Sequence, residues 1–198
     1  MTHPLMEYTT PHGNEGGAAK YHGAIAQGYD QKREESPKWQ IEQKVIEGWL
    51  ADLPMGDWVL DCPAGTGRFI PYCQKRGLIY VGVDRSLDML KQAACKVTNP
   101  QSVQLHVADI RALPREDKSI DAALMVRLTR WLEPPDCVLA LRELQRVARK
   151  KIISTWRVRN HQHARSYDLI KSALSGWKIA RDEPGVDMDY RIIEMVPE

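Results

Sequence analysis

The chain has 198 residues, of which 43% are hydrophobic and 27% charged, enough apolar material for one buried core without metals or disulfide staples. With 28 basic and 26 acidic residues its net charge is +2, which argues against a counterion-releasing grip on duplex DNA. No run of about 18 apolar residues marks a membrane span, and the N-terminus lacks the charged start and apolar core of a signal peptide, so a cytoplasmic location is expected.

Residues 1–20 are rich in Gly and polar side chains, lack periodicity and read as a flexible tail. Residues 21–198 read as a single domain. Between Tyr21 and Leu53 the pattern turns helical, with Ile25, Tyr29, Ile41, Val45, Ile46, Trp49 and Leu50 at helix-like spacing and Pro37 in a first turn. Strands and helices then alternate. Strands are expected at 58–60, 78–83, 103–107, 120–126 and 151–155, with helices at 72–76, 87–96 and 138–149 between them. The run 120–126 is nearly all apolar, as in a strand covered on both faces. Residues 177–181 and 190–196 alternate around Glu183-Pro184-Gly185 and predict a terminal antiparallel hairpin. This order predicts an α/β fold, doubly wound, with a mostly parallel sheet and helices on both faces.

Cys62, Cys73, Cys95 and Cys137 have no CxxC or CxxH spacing, and the histidines are dispersed apart from His161 and His163. The cysteines therefore read as buried thiols, and no metal site is expected.

In open α/β sheets ligands lie beyond the carboxyl ends of the strands. The first such turn is Asp61-Cys62-Pro63-Ala64-Gly65-Thr66-Gly67-Arg68. Its glycines allow a sharp strand-to-helix turn and close approach of a ligand to the backbone, although an ordinary tight turn would use them equally well. The dinucleotide fingerprint G-x-G-x-x-G is absent, as is the triphosphate loop G-x-x-x-x-G-K-[ST]. The second turn carries Asp84, which can accept both hydroxyls of a ribose or merely cap the next helix, a task for which Ser86 is equally suited. The third, Ala108-Asp109-Ile110, places a carboxylate where it can accept from an exocyclic amine. Three acidic strand ends would repel a pyrophosphate and suit a neutral or cationic nucleoside.

With these motifs the chain resembles the class I S-adenosylmethionine-dependent methyltransferases, in particular the small bacterial and viral type grouped with the ubiquinone/menaquinone-biosynthesis enzymes. Residues 59–68 resemble the first motif, Asp-x-x-x-Gly-x-Gly, residues 119–128 the fourth-strand motif, residues 141–147 the following helix, and residues 21–33 the N-terminal lid. The likeness runs in order from about residue 20 to 155. Pro63-Ala64 departs from the usual glycine or Pro-Cys of the loop. The resemblance implies a Rossmann-like fold and S-adenosyl-L-methionine as cofactor. Asp61, Ala64, Gly65 and Gly67 would face the methionine part, with Asp61 on the α-ammonium. Asp84 would hold the ribose, flanked by Arg85 and Met89, and Ala108, Asp109 and Ile110 would frame the adenine. Val126 and Arg127 would close over the sulfonium, while Tyr21, Tyr29 and Arg33 would reach the cofactor's carboxylate from the lid, unless these three serve packing and solvation.

The acceptor side is expected among Arg127, Arg130, Trp131, Trp156, Arg157, Arg159, His161 and His163. His161 or His163 can act as general base near neutral pH or stand as a loop histidine in water, and the arginines can hold an anion or be solvated. The Asp/Asn-Pro-Pro-Tyr/Phe turn of base amino-methylation and the Pro-Cys of cytosine methylation are missing after the fourth strand. An acidic or phosphorylated small molecule, or a glycan, is therefore favoured over nucleic acid as the acceptor. Two readings compete: a cofactor-binding protein without catalysis, and a nicotinamide-dependent reductase, against which the missing third glycine and the extra acids count. The acceptor atom, oligomeric state and pathway stay open.

Overall fold

The computed structural model describes residues 6–7, 20–31, 33, 35–158, 166–185, 187 and 189–198. In chain order its elements are β1 (Met6–Glu7), α1 (Gly23–Gln27), α2 (Pro37–Leu50), β2 (Trp58–Asp61), α3 (Ile70–Lys75), β3 (Ile79–Asp84) and α4 (Leu87–Ala94). There follow β4 (Val103–Val107), β5 (Ile120–Met125), α5 (Pro134–Val147), β6 (Ala148–Arg157), α6 (Tyr167–Ala173), β7 (Trp177–Pro184) and β8 (Tyr190–Pro197). One eight-stranded sheet has the order β1-β4-β3-β2-β5-β6-β8-β7. Every pairing from β1 through β6 is parallel, and β8 lies antiparallel to both β6 and β7. The fold is Rossmann-like. Within the stretch expected as a tail, Met6–Glu7 pairs with His106 and Val107 and extends the sheet by one short strand.

Alternation along the strands divides the core. Leu60, Val81, Ala123, Met125 and Ile152 pack with Cys137, Leu141 and Leu144 of α5 and Ile170 of α6. Their neighbours Val59, Tyr80, Ala122, Leu124 and Ile153 pack on the other face with Ile46 and Leu50 of α2, Ile70 of α3 and Leu90 of α4. Each large side chain so enclosed contributes about 1.5–3 kcal/mol. The helix ends follow local chemistry. Pro37 begins α2 and the Pro134-Pro135 pair begins α5, where a missing N–H is harmless. The Ser86 and Ser166 hydroxyls accept from the Met89 and Leu169 N–H groups at the starts of α4 and α6.

Several local expectations shift. The lid pattern resolves into a five-residue α1, a turn and then α2, with Ile25 and Ile41 exposed. The buried face of α2 carries Glu42, Ile46, Trp49 and Leu50 instead, because a stripe at i, i+4, i+7 and i+8 passes through residue 42. Cys95, at the end of α4, is exposed, whereas Cys62, Cys73 and Cys137 are buried. Asp121 interrupts the apolar run of β5, yet its buried carboxylate accepts from the Trp58 N–H and the Arg149 guanidinium. Among the described residues, no helix is long and apolar enough to cross a membrane.

Candidate active site

The chain runs outward from β2 through β3 to β4, then returns to the other side of β2 for β5 and β6. The turns leaving β2 and β5 therefore diverge, and the crevice between them is where an open α/β sheet can accept a ligand. A cavity of about 360 Å³ occupies it. Its wall includes Tyr21, Tyr29, Arg33, Asp61, Ala64, Gly65, Asp84, Arg85, Met89, Ala108, Asp109, Ile110, Val126 and Arg127. Arg130, Trp131 and Arg157 also border it, and Arg130 is largely exposed.

Gly67 does not. It has φ +69°, and a Cβ there would come 2.9 Å from Ala93 Cβ and 3.1 Å from Ala93 Cα, so its role is close seating of the turn on α4. Trp156 also leaves the acceptor-side set, since strand alternation turns Thr155 and Arg157 to the cavity and the indole into the core, where its N–H donates to Ser154 Oγ. His161, His163 and Arg159 lie outside the described residues.

The first turn is held from the second. The Gly65 N–H donates to Asp84 Oδ2 at 2.8 Å and the Ser86 N–H to Asp84 Oδ1 at 2.8 Å. The Arg85 N–H donates to the same carboxylate, which stands on the cavity wall. Burial nevertheless pushes the Asp84 carboxyl up, against these donors. Ser86, not Asp84, caps α4. Asp61 accepts the Tyr80 hydroxyl at Oδ2, 2.7 Å away, whereas its Oδ1 is sealed from solvent and has no hydrogen-bond partner. Burial pushes this carboxyl up to about 7, despite the Tyr80 bond and the Arg68 charge. Asp109, also on the cavity wall, is paired within the chain. Burial alone would raise its carboxyl, but a two-pronged pairing with Arg111, helped by Arg85, holds it below its ordinary range.

The N-terminal segment packs against these turns. The Ser86 hydroxyl donates to the Tyr21 carbonyl at 2.6 Å, and Thr66 donates to Asp30 at 2.6 Å. Tyr21 meets Tyr29 and Trp131 edge-on, with ring centres 5.5 and 6.1 Å apart. The Arg33 guanidinium lies 4.5 Å from the Tyr29 ring centre. Glu42, fully buried on α2, accepts from Arg68 after β2, from Arg127 after β5 and from Tyr190 of β8. Sequence reasoning missed Glu42, Lys38, Trp39 and Tyr190. A charge in line with the apolar stripe of α2 was the available signal for Glu42. The other three are brought to the cavity by long-range pairing that leaves no local mark.

The family described as a methyltransferase domain matches residues 59–151. A malonyl-(acyl-carrier protein) O-methyltransferase of Hamiltonella defensa is 36% identical over 130 residues, covering 66% of this chain and 46% of that protein. The enzyme of the same name from Pseudescherichia vulneris is 33% identical over 141 residues, covering 69% and 51%. The chain thus spans about half the length of the curated relatives it matches. Among solved structures, magnesium protoporphyrin IX methyltransferase from Synechocystis, with bound S-adenosylmethionine, shares the fold. Its TM-score is 0.74 at 17% identity, over 91% of this chain and 95% of that one.

Proposed function

We propose that the chain, whose residues 59–151 match a methyltransferase domain, is a class I S-adenosylmethionine-dependent methyltransferase that transfers a methyl group to a small-molecule or glycan acceptor. The observation that carries the assignment is the orphaned Oδ1 of Asp61, a buried carboxylate oxygen on the cavity wall awaiting a cationic donor. The α-ammonium of S-adenosylmethionine supplies one. The remaining groups fit the same ligand. Asp84 offers a carboxylate acceptor to a ribose between Arg85 and Met89, and the buried Ala108 and Ile110 offer an apolar slot for adenine beside Asp109.

When bound, this cofactor would supply a methyl group activated by a sulfonium, which an acceptor lone pair would take as the C–S bonding electrons stay with sulfur. The protein's share is to align the two partners and exclude water, and no covalent enzyme adduct is needed. Tyr21, Tyr29 and Trp131 of the lid and rim provide the cover. Where the acceptor carries a proton, His161 or His163 is the proposed base and Arg127 the group that orients it. A cavity roofed by aromatic side chains favours a compact acceptor over a nucleic-acid strand.

Calorimetric titration with S-adenosylmethionine, S-adenosylhomocysteine and NADH tests the reading. Micromolar binding of the first two alone is expected, followed by homocysteine-linked detection of turnover across an acceptor panel. Binding of NADH alone would overturn it. Cofactor binding with no methylated product from any acceptor would leave a binding protein without catalysis.

A further inference from the structure

The cavity has two electrical ends. Asp61, Asp84 and Asp109 stand where β2, β3 and β4 finish. Across the β2–β5 divide, the wall formed by α2, the turn after β5, the end of β6 and the start of β8 carries Lys38, Arg127 and Arg157. Little negative charge answers these three. Glu42 is already shared among Arg68, Arg127 and Tyr190. Asp187 lies 3.8 Å from both Lys38 Nζ and Arg157 Nη2, too far for a hydrogen bond to either.

Arg127 is the most tightly fixed of the set. It sits at φ +60°, a left-handed conformation that is strained for any residue with a side chain. Its N–H is held by Thr155 Oγ1 at 2.8 Å and its Nε by Glu42 at 2.8 Å. Its Nη2, however, is sealed from solvent with no acceptor in reach. A buried guanidinium N–H without a partner is an expensive arrangement that a bound anion would relieve. Burial, together with the neighbouring Arg157 and Arg127 charges, also pushes the Lys38 ammonium down, the response of a cation crowded by other cations. Next to this cluster stand Trp39, whose ring centre is 5.1 Å from the Arg127 guanidinium, and Tyr190, 4.4 Å from the Lys38 ammonium.

We propose that this end of the cavity is an anion-binding subsite: the acceptor carries a carboxylate or phosphoryl group received by Arg127 Nη2 and flanked by Lys38 and Arg157, joined to a planar or apolar body that lies against Trp39 and Tyr190. The inference rests on the methyl-transfer reading of the same cavity, since it names the class of acceptor. Asp187 shields Lys38 and Arg157 until the anion arrives.

The test uses the full chain saturated with S-adenosylhomocysteine, titrated with phenylacetate, phenyl phosphate and neutral phenylacetamide. The acids are expected to bind at least about tenfold tighter than the amide, the loss that follows from removing one charge-assisted bond. Arg127→Gln should weaken the acids about tenfold or more and leave the amide unchanged. Lys38→Gln and Arg157→Gln, at less buried positions, should each weaken them severalfold, and Asp187→Asn should strengthen them. A preference for phenyl phosphate would assign a phosphoryl-bearing acceptor, and the reverse a carboxylate-bearing one. The proposal is overturned if the amide binds as well as the acids, if the three cation variants bind the acids like the parent, or if the acids displace S-adenosylhomocysteine, which would make this end part of the cofactor site. Should S-adenosylhomocysteine itself fail to bind, the cofactor reading falls, and the acid-against-amide comparison on the free protein still decides the anion subsite.

Discussion

Replacing Asp61 with Asn should raise stability and abolish tight cofactor binding at once. The Asp61 carboxyl ordinarily titrates near 3.8 and is pushed up to about 7 by burial, against the Tyr80 hydrogen bond and the Arg68 charge. Because the folded value exceeds the unfolded one, the folded chain holds more protons between them. Its stability therefore falls as the pH rises from about 4 to about 7 and levels off above. A gap of about three pH units at about 1.4 kcal/mol each makes the ionised, unpartnered carboxylate a burden of about 4 kcal/mol at pH 8. Asn keeps an oxygen for the Tyr80 hydroxyl and carries no charge.

In urea unfolding at pH 8, Asp61→Asn is expected to gain about 2–4 kcal/mol over the parent, with the difference fading towards pH 4. Calorimetry at pH 8 should show S-adenosylhomocysteine affinity reduced at least about tenfold. In the parent that affinity should weaken as the pH drops below about 7, since an ammonium needs the ionised carboxylate, and the variant should lack this dependence. An Asn variant no more stable than the parent at pH 8 would refute the burial argument. One that binds S-adenosylhomocysteine normally would remove Asp61 from the ligand.

Asp84→Asn removes the charge proposed to receive the ribose and substitutes an amide where three backbone N–H groups donate; titration should show S-adenosylhomocysteine binding weakened by at least about tenfold. Gly67→Ala combines positive φ with overlap onto Ala93 and should destabilise by about 2–5 kcal/mol. Gly65→Ala, also at positive φ but with only an ordinary 3.4 Å approach to the Met89 methyl, should lose about 1–2 kcal/mol. Equal losses in denaturant unfolding would count against the close seating of Gly67 on α4. Glu42→Ala strips a buried counter-charge from Arg68 and Arg127 and should cost about 3–5 kcal/mol. That corresponds to a drop in thermal midpoint of roughly 6–20 °C, and a fall of only a degree or two would mean water reaches the two arginines.

Much of the fold was legible because periodicity is local. Residues 103–107 form a strand as their alternation predicts, and the two terminal segments pair antiparallel as expected. The strand order was not legible, nor was the insertion of β8 between β6 and β7, because the backbone bonds that decide both join residues far apart in sequence. Boundaries moved where turn chemistry was underused: α5 starts at Pro134, which fits a helix's first position, rather than at Val138. At the site, the acidic strand ends were visible because each follows a recognisable strand. The pairing of Asp109 with Arg111, two residues on, was not anticipated, since nothing in residue spacing tells a ligand contact from an internal ion pair.

The helices α1 and α2 are tethered on different terms. Of the five residues of α1 only Ala26 is buried, and its neighbourhood is fastened by exposed or half-buried bonds: Gly23 to Asp88, Tyr21 to Ser86, Asp30 to Thr66 and Lys96. By contrast, α2 buries Glu42, Ile46, Trp49 and Leu50 and reaches through Glu42 to the turn before α3, the turn after β5 and the start of β8. Local opening is drawn from segments with few buried contacts. Local opening beside the cavity is therefore expected to begin at α1 and not at α2, and faster amide hydrogen exchange over residues 23–27 than over residues 42–50 is the sign to look for.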